Sequence, residues 1–474
     1  MLSLAVAVGC ATWLSRHHPH LVVVLAATIG STAAIVVRWR TVALAIALTV
    51  VAASVMTARA WQAYAPAPAR PVSGWVTVVT DPQRIGSMVI VVVQVGTLRE
   101  QVRAFGSIGR HLELRRVGDQ VWVSGRQRSL SPTQLDRLAP KHVRATLQVD
   151  VVADWMTGSP LAVAANRIRQ VLTNGSSMMS PSEQALFLGL IIGDDHAEPP
   201  TMVEDFRSAG LSHLTAVSGQ NVAFLLIAFG PLLRRLRPHA RWAATVGLVL
   251  WFAVLTRFEP SVLRAAGMAM LAATAFWRGW TATPRRLLAL TVVALLLIDP
   301  LLTWSVGWWL SVGATMGLAL LATPLADRLP GPRWIAVPIA VTLAAQTGIA
   351  PISVFIFGRA PLVSVLTNVL AVPIAGFVMV WGIPAGLLAG IVAPVASIVQ
   401  LPSRIGTRWV LLIARLGARI EPAWTGRWGA LLQLAVVAAI MLRKPDHHRN
   451  ASAPGSPGGD RDLQRRLVDA HLGV

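Results

Sequence analysis

Lysine is almost missing: Lys141 and Lys444 are the only two, although lysine and arginine together number 42 against 21 acidic residues and the formal net charge is +21. The basic excess is therefore an arginine excess. It favours anionic partners such as nucleic acid or phospholipid headgroups, but cytoplasmic loops of any membrane protein are basic too, so charge alone separates none of these. Cys10 is the sole cysteine, which excludes an intramolecular disulfide and a cysteine-based zinc site. An extracytoplasmic domain in this chain has to stand on its core. No Walker G-x-x-x-x-G-K segment occurs. No basic stretch precedes the first apolar run, which argues for a retained first helix over a cleaved signal peptide. Charged residues make up only 13% and hydrophobic ones 54% of 474 residues, proportions that do not suit a soluble globule of this size.

What is present is a series of apolar runs of about 15 to 22 residues, each near the length that crosses a hydrocarbon core. The fold class expected is a polytopic α-helical membrane protein of about 11 to 12 transmembrane helices with a small all-β insertion. Residues 2 to 15, 21 to 37 and 41 to 58 are the first three runs. Arg38 and Arg40 mark a cytoplasmic loop, which places the N-terminus inside and the segment after residue 58 outside. Downstream, every second loop is arginine-rich, including Arg234 to Arg241, Arg278 to Arg286 and Asp327 to Arg333. Counted from an external β domain, those loops fall inside and the last run, 426 to 442, ends inside. Pro338, Pro351, Pro373 and Pro384 interrupt the runs 334 to 357, 361 to 380 and 383 to 399, which marks this half as kinked.

At Ala65 the texture changes. A-P-A-P-A-R-P reads as a stiff extended linker, and residues 65–157 carry short strand-like runs with glycine punctuation and no convincing helix. The strand candidates include His111 to Leu114 and V-W-V-S-G, the latter fed by a hairpin turn at Gly118 and Asp119 and bent at Gly125. A small OB-type barrel is the preferred reading. Such barrels bind single strands by aromatic stacking and a basic groove; this one offers many arginines but few aromatics besides Trp75, Phe105 and Trp122, so a purely structural domain remains open. Residues 158–205 read as amphipathic linking helices, with Ser180-Pro181-Ser182-Glu183 as a capping box and a helix end at Gly193. Asp194, Asp195, His196 and Glu198 then follow, a set able to hold a divalent cation but more often a solvated loop; no metal and no cofactor are assigned.

The core of the sequence argument is residues 207 to 233, apolar enough for a membrane yet carrying His213, Thr215, Ser218, Gly219, Gln220 and Asn221. On a regular helix Thr215, Ser218 and Asn221 share one side while His213 and Gln220 fall on the other. Either neighbouring helices enclose this segment around a wet space, or Gly219 lets it break as transporter helices do. Hydroxyls and amides that merely glue helices together are the bland alternative for any single residue. Gln346, Ser364, Thr367 and Asn368 raise the same choice. Near the C-terminus Arg404, Arg408, Arg415 and Arg419 line one face of an amphipathic helix, read as an interfacial helix whose stripe meets lipid phosphates or a polyanion. Residues 206–442 thus form the main transmembrane domain and 443–474 a disordered basic tail.

Phe206 to Gly219 (F-R-S-A-G-L-S-H-L-T-A-V-S-G), Pro260 to Ala266 (P-S-V-L-R-A-A), Asp299 to Leu301 (D-P-L), Trp308 to Ser311 (W-W-L-S), and Ala344 to Pro373 (A-A-Q, then F-G, then N-V-L-A-V-P) occur in that order behind the β segment. Together they resemble the ComEC competence-protein family. The resemblance implies an extracytoplasmic OB-type domain and a polytopic domain that passes single-stranded DNA into the cytoplasm during transformation. Taken with the polar cluster, it makes His213, Thr215, Ser218, Gly219, Gln220, Asn221, Arg264, Gln346 and Asn368 the residues expected on the pathway, with Arg404, Arg408, Arg415 and Arg419 on an approach for DNA or phosphate. Its implied partners are single-stranded DNA, membrane lipids, a separate nuclease, a DNA receptor and a cytoplasmic motor, with a homodimer left open. Two departures stand out: Asn221 sits where many relatives have histidine, and the chain does not continue into their metallo-β-lactamase-like domain. No catalytic role is therefore expected. A secondary transporter of a smaller anion or lipid is the competing class. A hydrolase using His213 with Ser218 fares worst, because five residues on a helix set them about 140° apart.

Overall fold

A computed structural model of the protein describes residues 2–14, 40–215, 218–358, 361–422 and 426–443. Packing divides the chain into two units, Met1–Ile168 with Ala289–Trp308, and Arg169–Leu288 with Trp309–Val474. In the first, α1 (Leu2–Leu14) and α2 (Arg40–Ala63) pack on each other. The second apolar run, 21 to 37, and the tail from residue 444 lie outside the described residues.

The β segment contains β1 (Arg70–Val78), β2 (Gln83–Ile85), β3 (Met88–Val95), β4 (Leu98–Phe105), α3 (Gly106–Glu113), β5 (Gln120–Ser129), α4 (Pro132–Leu138) and β6 (Val143–Met156). The strands run in the order β1-β5-β6-β4-β3-β2, and β1 also pairs with β3, so five strands close on themselves and β2 is left as an appendage of β3. Only β4 and β6 pair in parallel. Alternation explains the core: Val72 and Val76, Val89, Val91 and Val93, Val121 and Val123, and Leu147 and Val149 occupy every second position and meet inside. Glu100 shares its face with Val102 and Ala104 and is fully buried there.

Three sequence expectations fail in this region, each for a local reason. The segment is not free of helix. His111 to Leu114 is not a strand: Ile108 and Leu112 recur at helical spacing, α3 takes up Gly106 to Glu113, and Leu112 seals against the valine core. Gly118, at φ +94°, turns the chain from that helix into β5, so there is no hairpin. Gly125 does mark an irregularity, since the β5–β6 register shifts beside it and a Cβ there would lie 2.1 Å from Gln148 O.

Inside the same unit, the β segment is tied to helical residues. The Tyr64 hydroxyl donates to the carbonyls of Val143 and Leu135, and Trp61 meets both Tyr64 and Trp304 edge-on. His142 Nε2 lies 2.9 Å from Asp299 Oδ2, while Asp299 Oδ1 accepts from Leu301 N at 3.0 Å. The D-P-L motif thus begins a short turn, Pro300–Trp304, and holds the loop before β6.

Helices follow: α5 (Pro160–Gly175), α6 (Pro181–Ile192), α7 (Pro200–Ser208), α8 (Ser212–Thr215), α9 (Gly219–Leu233), α10 (Pro238–Leu255), α11 (Pro260–Arg278), α12 (Pro284–Ile298), α13 (Val306–Ala326), α14 (Arg333–Phe357), α15 (Ser364–Ile391), α16 (Ala396–Val399), α17 (Leu401–Ile420) and α18 (Gly426–Leu442). Among the described residues α10, α13, α14 and α15 are long and apolar enough to cross a membrane. The runs expected as 361 to 380 and 383 to 399 are one helix of 28 residues, α15, with Pro373 and Pro384 inside it. At 1.5 Å per residue it is about 42 Å long. Each proline removes one donor without ending the helix, a tolerance seen where neighbouring helices surround the backbone.

Small residues set the closest helix contacts. A Cβ on Gly313, Gly317 or Gly348 would lie 2.1 to 2.6 Å from a backbone oxygen of the opposing helix, so α13 and α14 touch main chain to main chain. Helix α17 has a protein-facing side that the interfacial reading does not include. Gly406 sits against Val378 and Gly417 against Thr367, so α17 runs antiparallel along α15 and buries Val410, Ile413 and Ala414 in protein. One face of its amphipathic pattern meets a neighbouring helix, while Leu401, Ile405, Leu412 and Ile420 form a second apolar stripe that stays exposed.

Candidate functional site

The segment from Ala209 to Asn221 breaks. Ser218 is extended at φ −114° and ψ 161° and α9 begins at Gly219, so the discontinuous alternative holds, with the break at Ser218, just ahead of the glycine. The one-sided arrangement of Thr215, Ser218 and Asn221 on a regular helix is therefore replaced by bonds at the start of α9. Ser218 Oγ donates to Asn221 Oδ1 at 2.8 Å, and Asn221 Nδ2 donates to Leu190 O at 2.9 Å, which fastens the start of α9 to the last turn of α6. Asn221 is 3% exposed, whereas His213 and Gln220 are exposed. No nucleophile–base pair joins His213 to Ser218, whose hydroxyl is committed to Asn221.

Around the break stand two further groups. Thr215 is buried, donates to Ser212 O at 3.3 Å, and lies beside Glu198, whose carboxyl is raised to about 7 by burial and by the charge of Asp195. Burial also opposes ionisation of Asp194, but the hydrogen bond to His196 and the charge of Arg169 outweigh it and hold Asp194 down at about 2. Arg169 Nη2 and His196 Nδ1 each lie 2.8 Å from Asp194. That carboxylate is engaged by protein groups, and among the described residues no cluster of three His, Cys, Asp or Glu is placed to hold a metal. On the other side, Arg264 of α11 reaches the first residue of α9: a Cβ on Gly219 would lie 2.1 Å from Arg264 Nη2. Arg264 Nε donates to Ser311 Oγ at 2.9 Å and Nη1 lies 3.4 Å from Met268 Sδ.

Gln346 and Asn368 are not brought to the break but gather at the start of α15. Gln346 Nε2 donates to Ser364 Oγ at 2.7 Å, Thr367 Oγ1 donates to Ala209 O at 2.8 Å, and Gly210 at φ +71° presses its backbone against Ser364. The carbonyl oxygens of the Gln346 and Asn368 side chains are buried without a hydrogen-bond partner among the described residues. Orphaned acceptors at membrane-type helices call for a donor, such as water or a passing group. Glu421 secures this corner by accepting from the amides of Leu362 and Val363 at 3.1 and 2.9 Å.

The arginine stripe divides. Arg408 Nε donates to Glu183, and Arg404 Nε lies 3.9 Å from the same carboxylate, whereas Arg415 and Arg419 are exposed and make no ion pair among the described residues. Glu183 also accepts from Ser180 N at 3.1 Å and so completes the capping box of α6. Sequence reasoning reads Glu183 only as a cap. The i, i+4 spacing of Arg404 and Arg408 was the available signal for a shared anion. Ser311, lying in W-W-L-S, and the carbonyls of Leu190 and Ala209 are participants that no residue-type argument singles out.

Comparison with known proteins adds to this geometry. A family profile described as Competence protein matches residues 190–445. The chain is 31% identical over 282 residues to Competence protein ComA of Neisseria gonorrhoeae, covering 55% of this chain and 38% of that protein. It is 27% identical over 226 residues to ComE operon protein 3 of Bacillus subtilis, covering 46% and 28%, and 27% identical over 233 residues to the uncharacterized protein YcaI of Escherichia coli, covering 44% and 30%. The matches therefore span less than two fifths of each relative's length. No solved structure matches.

Proposed function

This chain belongs to the ComEC family of competence proteins, and we propose that it is a multi-pass inner-membrane protein through which single-stranded DNA enters the cytoplasm during transformation. The observation that carries the reading is the extended Ser218 at the head of α9, inside the matched region, with buried polar groups on several sides. A strand carries one negative charge per nucleotide, so its route through a membrane needs dipoles, backbone groups and arginines in place of lipid. Unwound backbone at membrane depth is tolerated where it is enclosed by protein or lines water. Asn221 and Thr215 act in this reading as the fasteners of the break, and Ser218, Gly219 and Arg264 as its wall. The unpaired acceptors of Gln346 and Asn368 continue the polar path, and exposed Arg415 and Arg419 serve the strand's approach.

The closed five-strand ring, with its one parallel pair and a helix before β5, supports an OB-type barrel outside the membrane. The termini lie in the cytoplasm in this arrangement. In this reading the chain acts as a conduit, and the bond of the Ser218 hydroxyl to an amide and not to a base speaks against a hydrolase built on His213 with Ser218. A cytoplasmic motor or an ion gradient supplies direction, and a separate nuclease and DNA receptor deliver the strand. A deletion strain tests the whole reading: uptake of labelled DNA into a protected form should vanish, and undiminished transformation would sink it. Ser218→Leu in a folded protein should block entry of the strand while leaving DNA bound at the cell surface.

A further inference from the structure

We propose that Arg264 and the N-terminus of α9 together form a binding site for a single phosphate-type oxyanion. Arg264 is 8% exposed, and among the described residues no carboxylate lies within ion-pair distance of it. Its Nε and Nη1 are used by Ser311 and Met268, and Nη2 makes no hydrogen bond among the described residues. A guanidinium does not give up its proton, so a buried positive charge is left without a counter-charge.

The group that Nη2 faces is positive as well. α9 is 15 residues long, and its N-cap, Ser218, makes no capping hydrogen bond because its hydroxyl is turned to Asn221 Oδ1. The first amides of such a helix present partial positive charge; here Asn221 N is taken by Ser218 O at 3.1 Å, which leaves those of Gly219 and Gln220 as the donors at this end. Two positive features so close repel unless an anion completes them. Gly219 lets the guanidinium come this close to the helix end: a Cβ there would lie 2.1 Å from Nη2 and 3.1 Å from Cζ. An oxyanion seated there takes one oxygen on Nη2 and another on the amides of the first turn, the geometry by which helix N-termini and arginine hold phosphate.

The ligand class that follows is a phosphate ester, and resting on the conduit reading above it is a phosphodiester of the passing strand. One such site, holding one phosphate at a time, gives a strand a resting point that each nucleotide occupies in turn.

The test uses the full chain in nanodiscs of zwitterionic lipid, with inorganic phosphate titrated against chloride at matched ionic strength and unfolding midpoint and calorimetric affinity as readouts. Phosphate should stabilise the wild type. Arg264→Gln should weaken phosphate binding about tenfold or more, and Arg264→Lys should recover part of it, since lysine keeps the charge but not the fork. Gly219→Ala puts a methyl where Nη2 lies and drives the guanidinium from the helix end, so it should also lose binding even if Arg264→Gln fails to fold. A wild type blind to phosphate, or a Gly219→Ala protein that binds it unchanged, overturns the site. Competition by a thymidylate tetramer supports the strand as the source; competition by glycerophosphoglycerol alone overturns that assignment in favour of a lipid headgroup. The two readings fail separately: no phosphate binding with chain-dependent DNA uptake removes this site only, and phosphate binding with normal uptake in the deletion strain removes the conduit only.

Discussion

Asp299 holds His142 with one carboxylate oxygen at 2.9 Å and the amide of Leu301 with the other at 3.0 Å. One side chain thereby fixes the turn after α12 and the loop before β6. The His142 contact is partly exposed and is worth at most about 1 kcal/mol, while the cap adds about as much again. Asp299→Ala should therefore lower the unfolding midpoint more than His142→Ala does. Equal losses from the two variants would show that the cap contributes nothing.

Glu100 gives the β segment a pH response. Burial among valines raises its carboxyl from 4.5 to about 7, partly offset by Arg70, and both its oxygens lack hydrogen-bond partners among the described residues. The folded state holds the proton more tightly than the unfolded one, so this residue's contribution to stability is full below about 4.5 and is lost as pH rises through about 7. Hydrogen exchange at β4 amides, after correction for intrinsic rates, should reveal weaker protection at pH 8 than at pH 5.5. Glu100→Gln should flatten that slope; an unchanged slope would place the titrating group elsewhere.

Asn221 is a fastener by its bonds, so its loss should be felt in stability before transport. Asn221→Leu leaves Leu190 O without its donor and should cost about 1 to 3 kcal/mol. Ser218→Ala removes one hydroxyl at the edge of the break and should cost less, about 1 kcal/mol. Chemical denaturation in nanodiscs checks the order, and a Ser218→Ala protein less stable than Asn221→Leu would reverse the assignment.

The four arginines of α17 should separate into two pairs. Arg408→Glu sets a second carboxylate against Glu183 and should lower the unfolding midpoint; because Arg408 is 61% exposed, solvent limits the cost to about 1 to 2 kcal/mol. Arg415→Glu with Arg419→Glu should leave the midpoint unchanged and reduce uptake of labelled DNA, more so at low salt. Unaltered uptake by that double variant would remove these arginines from the approach.

Periodicity and punctuation made part of this legible. The capping box at Ser180, the helix end at Gly193, the irregularity at Gly125 and the valine alternation each follow from local chemistry, and local chemistry is what a sequence carries. His111 to Leu114 misled because four residues do not distinguish a strand from the last turn of a helix, and the decisive residue, Ile108, lay upstream. Pro373 and Pro384 misled because their cost depends on neighbours that the chain order does not reveal. The arginine face of α17 was visible, but its meaning rested on Glu183, whose own local role already accounted for it. At the break, the polar residues were evident; which were bonded to one another, and that Arg264 would meet Gly219, depended on helices far apart in the chain.

Glu183 caps the helix it begins and pairs with an arginine 225 positions later. Chains grow at about 5 to 20 residues per second, so some 11 to 45 seconds separate the synthesis of that carboxylate from that of its counter-ion. During that interval α6 has its cap but not its clasp. The contact between α6 and α17 is thus a late event of biogenesis, and a chain cut short before α17 leaves an acidic group waiting among apolar helices.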